Sequence, residues 1–261
     1  MRKIGVLFLI GILNCSAQST VKITKIQAKA AAYDQFLETD EYGYNYFLKN
    51  NVLIKVNENE NFEFKNVALG KASRIDLHNP LKIVLFFENF NTVVSLDNQL
   101  NESNNINFSS FTTPILATAI GIASQNRLWI FNSLSQKIGL FDFLNNSYTE
   151  LTPPLQISKK TYDSDFNTFY WVDNDNILNS CDVFGKIATL GQIKEFDKIQ
   201  ILDSQKVLLL KNNKLFVNNL KTNSFDEIII DKKTIENFSL KNQILTIFTN
   251  QELHTYKIKI P

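Results

Sequence analysis

Hydrophobic positions along the chain alternate in short runs and seldom recur at helical spacing. Few windows hold apolar residues at i, i+3, i+4 and i+7 over 11 or more positions, the mark of an amphipathic helix. The stretch from Lys25 to Phe36 comes closest, and it is short and interrupted. What recurs instead is a pair of β-branched and aromatic runs around a polar turn. Tyr44–Leu48 and Val52–Val56 flank Lys49-Asn50-Asn51, and Ile83–Phe87 and Thr92–Leu96 flank Glu88-Asn89-Phe90-Asn91. Leu128–Phe131 and Lys137–Phe141 flank Asn132 to Gln136, and Phe169–Val172 and Ile177–Asn179 flank Asp173-Asn174-Asp175-Asn176. Val207–Leu210 and Leu215–Val217 flank Lys211 to Lys214, and Ile244–Phe248 and Leu253–Ile258 flank Thr249 to Glu252.

The spacing of these hairpins is more informative than any one of them. With Tyr46, Leu85, Trp129, Tyr170, Leu209 and Ile247 as equivalent positions, the steps are 39, 44, 41, 39 and 38 residues. A period near 40 with about four strands per unit marks a β-propeller. Shorter runs before the hairpins, such as Arg74–Leu77, Ile120–Ala123, Ile199–Leu202 and Ile235–Ser239, supply innermost strands. Phe62–Phe64, Tyr148–Leu151, Ile187–Leu190 and Asp226–Ile230 supply outermost ones. The expected fold is all-β, a six-bladed β-propeller with about four antiparallel strands per blade. The run Val21–Ile26 is expected to pair with the last blade and close the ring, because an open ring leaves a sheet edge exposed.

The first residues read as an address. Arg2 and Lys3 precede an apolar run from Ile4 to Leu13, and Cys15-Ser16-Ala17 offers small residues for cleavage. This predicts a signal peptide over 1–17 and a single propeller domain over 18–261, in the periplasm or secreted. A rival reading takes Ile12-Leu13-Asn14-Cys15 as a lipobox, with a lipid anchor at Cys15 tethering the protein to a membrane. No later stretch has the ~20 uninterrupted apolar residues of a transmembrane helix. Cleavage after Ala17 leaves Cys181 alone, so stability must come from packing rather than a disulfide. Cys181 then reads as a buried small hydrophobe.

At this point a resemblance enters. Phe36 to Asn51 (FLETDEYGYNYFLKNN) and Ile75 to Leu100 (IDLHNPLKIVLFFENFNTVVSLDNQL) resemble a family of secreted six-bladed propeller proteins of Bacteroidota. Asn79-Pro80-Leu81-Lys82, its following strand and the Leu96-Asp97 ending carry most of the likeness. The resemblance implies fold and compartment and no activity.

Composition narrows the function classes. The 261 residues are 44% hydrophobic, with 27 Lys+Arg against 26 Asp+Glu, which excludes a disordered chain and gives no basic excess for nucleic acid. The 32 Asn residues, with abundant Ile, Lys and Phe, suit an AT-rich genome. Two histidines, His78 and His254, are too few for a His-rich metal site. No H-E-x-x-H, G-x-S-x-G or phosphate-cradling glycine loop occurs. Asp173 to Asn176 invites a calcium reading, but lacks the glycine and distant glutamate of an EF-hand, and a hairpin turn accounts for it better. Asp163-Ser164-Asp165 is similar. Asp76, Asp97, Asp203 and Asp231 fall on different units at non-equivalent positions.

The leading expectation is therefore a noncatalytic propeller, without cofactor or metal, that binds another envelope protein. The turns between second and third strands share one face in such a fold, and loops on a rigid scaffold are where binding residues gather. Glu88, Asn89, Phe90, Asn91, Leu134, Asp173 and Asp175 are the candidate binding residues. The alternatives are an enzyme or small-ligand binder using the central channel, with calcium as one option, and a glycan binder presenting outward aromatics.

Overall fold

A computed structural model describes residues 20–231 and 234–260. The expected leader and Cys15 lie outside the described residues. Two N-terminal strands, β1 (Thr20–Val21) and β2 (Ile23–Ala30), precede the first blade. Blade 1 is β3 (Gln35–Thr39), β4 (Asn45–Lys49), β5 (Val52–Val56) and β6 (Asn61–Phe64). Blade 2 is β7 (Arg74–Asp76), β8 (Ile83–Phe87), β9 (Thr92–Leu96) and β10 (Glu102–Asn107). Blade 3 is β11 (Ala117–Ala123), β12 (Arg127–Asn132), β13 (Lys137–Asp142) and β14 (Ser147–Glu150). Blade 4 is β15 (Lys159–Ser164), β16 (Thr168–Asp173), β17 (Ile177–Asp182) and β18 (Ile187–Gln192). Blade 5 is β19 (Lys198–Ile201), β20 (Lys206–Lys211), β21 (Lys214–Asn219) and β22 (Ser224–Ile228). Blade 6 is β23 (Asn237–Lys241), β24 (Ile244–Thr249), β25 (Glu252–Ile258) and, as its outermost strand, β2. The fold is a six-bladed β-propeller.

The ring closes as a strap. β2 pairs antiparallel with β25 from Ile23↔Ile258 to Ala30↔Glu252, and β1 adds a parallel pair to β22 of blade 5. Ring closure thus comes from the N-terminus, as expected, and the strap reaches one blade further back. The stretch that most resembles a helix, Lys25 to Phe36, is strand at both ends, because the open edge of β25 offers it a ladder.

Each seam between neighbouring blades holds its own apolar cluster. Leu208, Leu210, Leu245 and Ile247 fill the seam between blades 5 and 6. Trp129, Phe131, Phe169, Trp171 and Cys181 fill that between blades 3 and 4, where both tryptophans and the lone described cysteine are buried. Full burial of side chains of this size is worth roughly 1.5–3 kcal/mol each. Burial pushes the Cys181 thiol up to about 12, so it packs and does not react at neutral pH.

The asparagine-rich turns have a conformational reason. Asn50 and Asn51, and Asn212 and Asn213, have positive φ at both central positions, the geometry of two-residue hairpin turns matched to strand twist. Asparagine tolerates that region because its short side chain bonds locally.

Candidate functional site

The turns joining second to third strands share a first face with the connectors between blades. Glu88, Asn89 and Phe90 form a 3₁₀ turn and are exposed there, as is Leu134, with Phe90 48% and Leu134 59% accessible. Leu116, on the connector between their blades, is also exposed. Asn91 behaves differently. It is buried, its Nδ2 donates to Ile115 O (2.7 Å) and Ser109 Oγ (3.1 Å), and its Oδ1 accepts from Ala117 N (3.0 Å). Asn91 therefore clamps the connector into blade 3, with its amide turned inward. Asp175 is exposed, whereas Asp173 turns its Oδ1 onto the backbone N–H groups of Asp175 (3.0 Å) and Ile177 (2.9 Å). That carboxylate closes a hairpin.

The second face carries the other turns, and a repeated lock organises it. Asn57, Asp97, Asp142, Asp182 and Asn219 each accept, through Oδ1, the backbone N–H two residues on, at 2.7–3.0 Å. These are Asx turns. The N–H donors hold the Asp142 carboxyl below its ordinary range, and the Asn101 amide, with N–H donors, does so for Asp97. The residues presented two positions on are Asn59, Gln99, Leu144, Phe184 and Lys221. Three are polar. Leu144 and Phe184, on adjacent blades 3 and 4, are 80% and 89% accessible. Sequence reasoning passed over both.

Innermost strands bring charged groups to the channel that lay far apart in the chain. Arg74 of β7 pairs with Asp163 of β15, Nη2 to Oδ1 at 2.6 Å, and its Nη1 donates to Tyr162 O (3.0 Å). Its guanidinium lies 4.5 Å from the Tyr162 ring centre. Lys241 of β23 pairs with Glu38 of β3 at 2.9 Å. Asp76 accepts from Ile122 N and His78 N, both at 2.9 Å. Gly121 permits this approach, since a Cβ there would fall 1.9 Å from Ser164 Oγ and 3.1 Å from Asp76 Oδ2. Burial raises the Glu38 carboxyl above its ordinary value, against the pull of Lys241. Of the four aspartates read from the sequence, only Asp76 lies on an innermost strand. Asp163 and Ser164 are strand rather than loop, and Asp165 alone forms the turn. Among the described residues no three His, Cys, Asp or Glu side chains gather as a metal site would require.

No protein-family model matches the chain, and no curated protein does. Solved structures do share its fold. The RRP9 WD40 repeats align with TM-score 0.63 at 7% identity, covering 91% of this chain and 100% of that one. A member of the DUF4221 family from Bacteroides vulgatus aligns at 0.57 and 10% identity, covering 93% and 99%. A streptogramin B lyase aligns at 0.54 and 10% identity, covering 92% and 97%. At such identities the likeness is one of fold alone, which hosts unrelated functions. Among the described residues no helix is long and apolar enough to cross a membrane.

Proposed function

We propose that this protein is an exported, noncatalytic β-propeller that serves as a protein-binding scaffold in the cell envelope, with residues 1–17 as its leader and 18–261 as its domain. The observation that carries the reading is the break in the repeat on the second face. Equivalent turns present Asn59, Gln99 and Lys221, but the adjacent blades 3 and 4 present Leu144 and Phe184 to solvent. Large exposed apolar side chains on rigid turns are the usual anchors of protein interfaces. Glu88, Asn89, Phe90, Leu134 and Asp175 form the competing contact surface on the first face. The channel supports catalysis less well, since Arg74, Lys241 and Asp76 are each committed to internal partners.

The leader and the resemblance to secreted Bacteroidota propellers support the compartment. The test is purification of the tagged protein from gently solubilised envelopes, with mass spectrometry of what accompanies it. A stoichiometric envelope protein, lost in a Leu144→Asn/Phe184→Gln double variant and kept in Phe90→Ser/Leu134→Ser, is expected. The reverse pattern moves the interface to the first face, and recovery of the protein alone overturns the scaffold reading. Incorporation of labelled fatty acid, abolished by Cys15→Ala, would replace the cleaved leader with a lipid anchor.

A further inference from the structure

The seam between blades 6 and 1 differs from the others. It opens into a cleft of about 590 Å³, within the range of small-molecule sites. Directly paired residues on neighbouring strands share a sheet face. Ser239, Thr246, Thr255 and Gln27 are paired in this way across all four strands of blade 6; among them Thr246, Thr255 and Gln27 line the cleft. The opposing wall on blade 1 is Thr39, Asn45 and Val56, again a paired row. Thr39 Oγ1 donates to Asn45 Oδ1 (2.8 Å) and lies 3.2 Å from Thr246 Oγ1, so the innermost residue of the blade 1 row touches the second residue of the blade 6 row. The floor is apolar: Ala31, Leu253 and Phe47, with the Tyr33 ring stacked on Phe47 at 4.0 Å and 14°.

All but one of the charges at the mouth have partners. Lys241 pairs with Glu38 and Lys29 with Glu58. Asp40 accepts from Tyr42 N, Tyr44 N and the Tyr46 hydroxyl, each at 2.9 Å. Apart from Glu41, whose exposed carboxylate has no partner among the described residues, the groups left to meet a ligand are neutral. The side chains of Gln27, Thr255 and Asn242 make no hydrogen bond among the described residues. Deeper in the same row, the buried Ser239 Oγ has no partner there either.

We infer that this cleft binds a neutral saccharide. Two walls of hydroxyls and amides match ring hydroxyls, which both donate and accept. The apolar, aromatic-based floor matches the C–H face of a pyranose. Lys29 and Lys241 stand among the lining carboxylates Asp40, Glu41 and Glu58, so the cleft has no excess of positive charge to draw a phosphate or carboxylate ligand. The site is independent of the protein-binding turns, which lie on blades 3 and 4.

Saturation-transfer NMR on the full chain tests it, with glucose, galactose, mannose, N-acetylglucosamine, xylose, maltose and cellobiose each at about 10 mM, suited to weak millimolar affinity. At least one sugar is expected to show transfer. Thr246→Leu, which replaces a hydroxyl of the cleft wall with a larger apolar side chain, should weaken its binding at least ~tenfold, and Thr255→Val, which removes one hydroxyl at near-constant volume, about three- to tenfold. Thr222→Val, in a blade 5 turn outside the cleft, should leave it unchanged. Absence of transfer from every sugar overturns the inference, as does undiminished binding in folded Thr246→Leu. If Thr246→Leu fails to fold, unchanged binding by Thr255→Val overturns it equally.

Discussion

One strand, β24, faces two seams and treats them differently. Toward blade 5 it presents Leu245 and Ile247, which meet Leu208 and Leu210 in a cluster of twelve buried residues. Toward blade 1 it presents Phe248, in a cluster of only six buried residues, and Thr246, which lines the cleft. The period-two alternation of a strand gives each blade two independent faces, so a propeller can hold its ring through one and keep a cavity at the other. Where blade 5 buries Leu208 against blade 6, blade 6 places Thr246 against blade 1. Closure at that seam depends less on side-chain packing and more on the strap.

The largest break in the comparison is therefore removal of residues 18–30. That deletion strips the outer strand from blade 6 and the parallel pair from blade 5, and takes buried Val21 out of the well-filled seam. It should cost ~5 kcal/mol or more, comparable to the whole stability of many domains, and leave an exposed edge at β25. Circular dichroism and size-exclusion chromatography should show loss of cooperative unfolding and self-association. A monomer that melts like the full chain would show that the seams alone hold the ring.

Next in size is Leu208→Ala in the filled seam. Leu208 is fully buried, and such truncations cost about 2–5 kcal/mol through lost burial and the cavity left behind. Denaturant unfolding should register that loss. A cost below ~1 kcal/mol would mean that this seam is as loosely held as the one beyond it.

The fold was legible because its signal is a spacing, which tolerates local error. The six positions used to measure the period do not all face one way: Tyr46, Trp129 and Tyr170 pack toward the following blade, Leu85, Leu209 and Ile247 toward the preceding one. A slip of one residue flips a side chain to the other face yet changes a 40-residue step hardly at all. A sharper marker was present in the Asx-turn series through Asn57, Asp97, Asp142, Asp182 and Asn219, and only its Leu96-Asp97 member was noticed. Phe90 and Leu134 were placed correctly as exposed because turn topology alone decides that. Asn91 was not, since an asparagine in a turn looks solvated whether or not its amide reaches inward. The channel pairs were invisible for a different reason: Arg74 and Asp163 are 89 residues apart, and no local pattern announces that the ring brings them together.

Thr246→Leu turns the open seam toward the character of the filled one. The added apolar surface should stabilise the protein by about 1 kcal/mol, less the weak contact to Thr39. A modest rise in melting temperature is expected. A fall would show that the hydroxyl row is held by structure rather than left open.

The smallest effect compares the mouths of two seams. At the open seam Lys241 meets a carboxylate, Glu38. At the seam between blades 2 and 3, Lys82 lies 3.4 Å from the Phe143 ring centre and bonds the Asn126 amide oxygen, with no carboxylate to offset burial. Burial lowers the Lys82 ammonium from 10.5 to about 8. Between those values the unfolded chain holds a proton that the folded protein has released, so stability rises with pH across that window. The Glu38 carboxyl is shifted the other way, raised from 4.5, so its contribution is full below that value and is lost as pH rises through the raised one. Wild type should therefore gain stability relative to Lys82→Met from pH 8 to 10.5, with a flat difference at neutral pH, while its advantage over Glu38→Gln should shrink as pH climbs above 4.5. Chemical unfolding at a series of pH values reads both slopes. Parallel curves for wild type and Lys82→Met above pH 8 would mean that the ammonium stays hydrated and that the two mouths do not differ electrostatically.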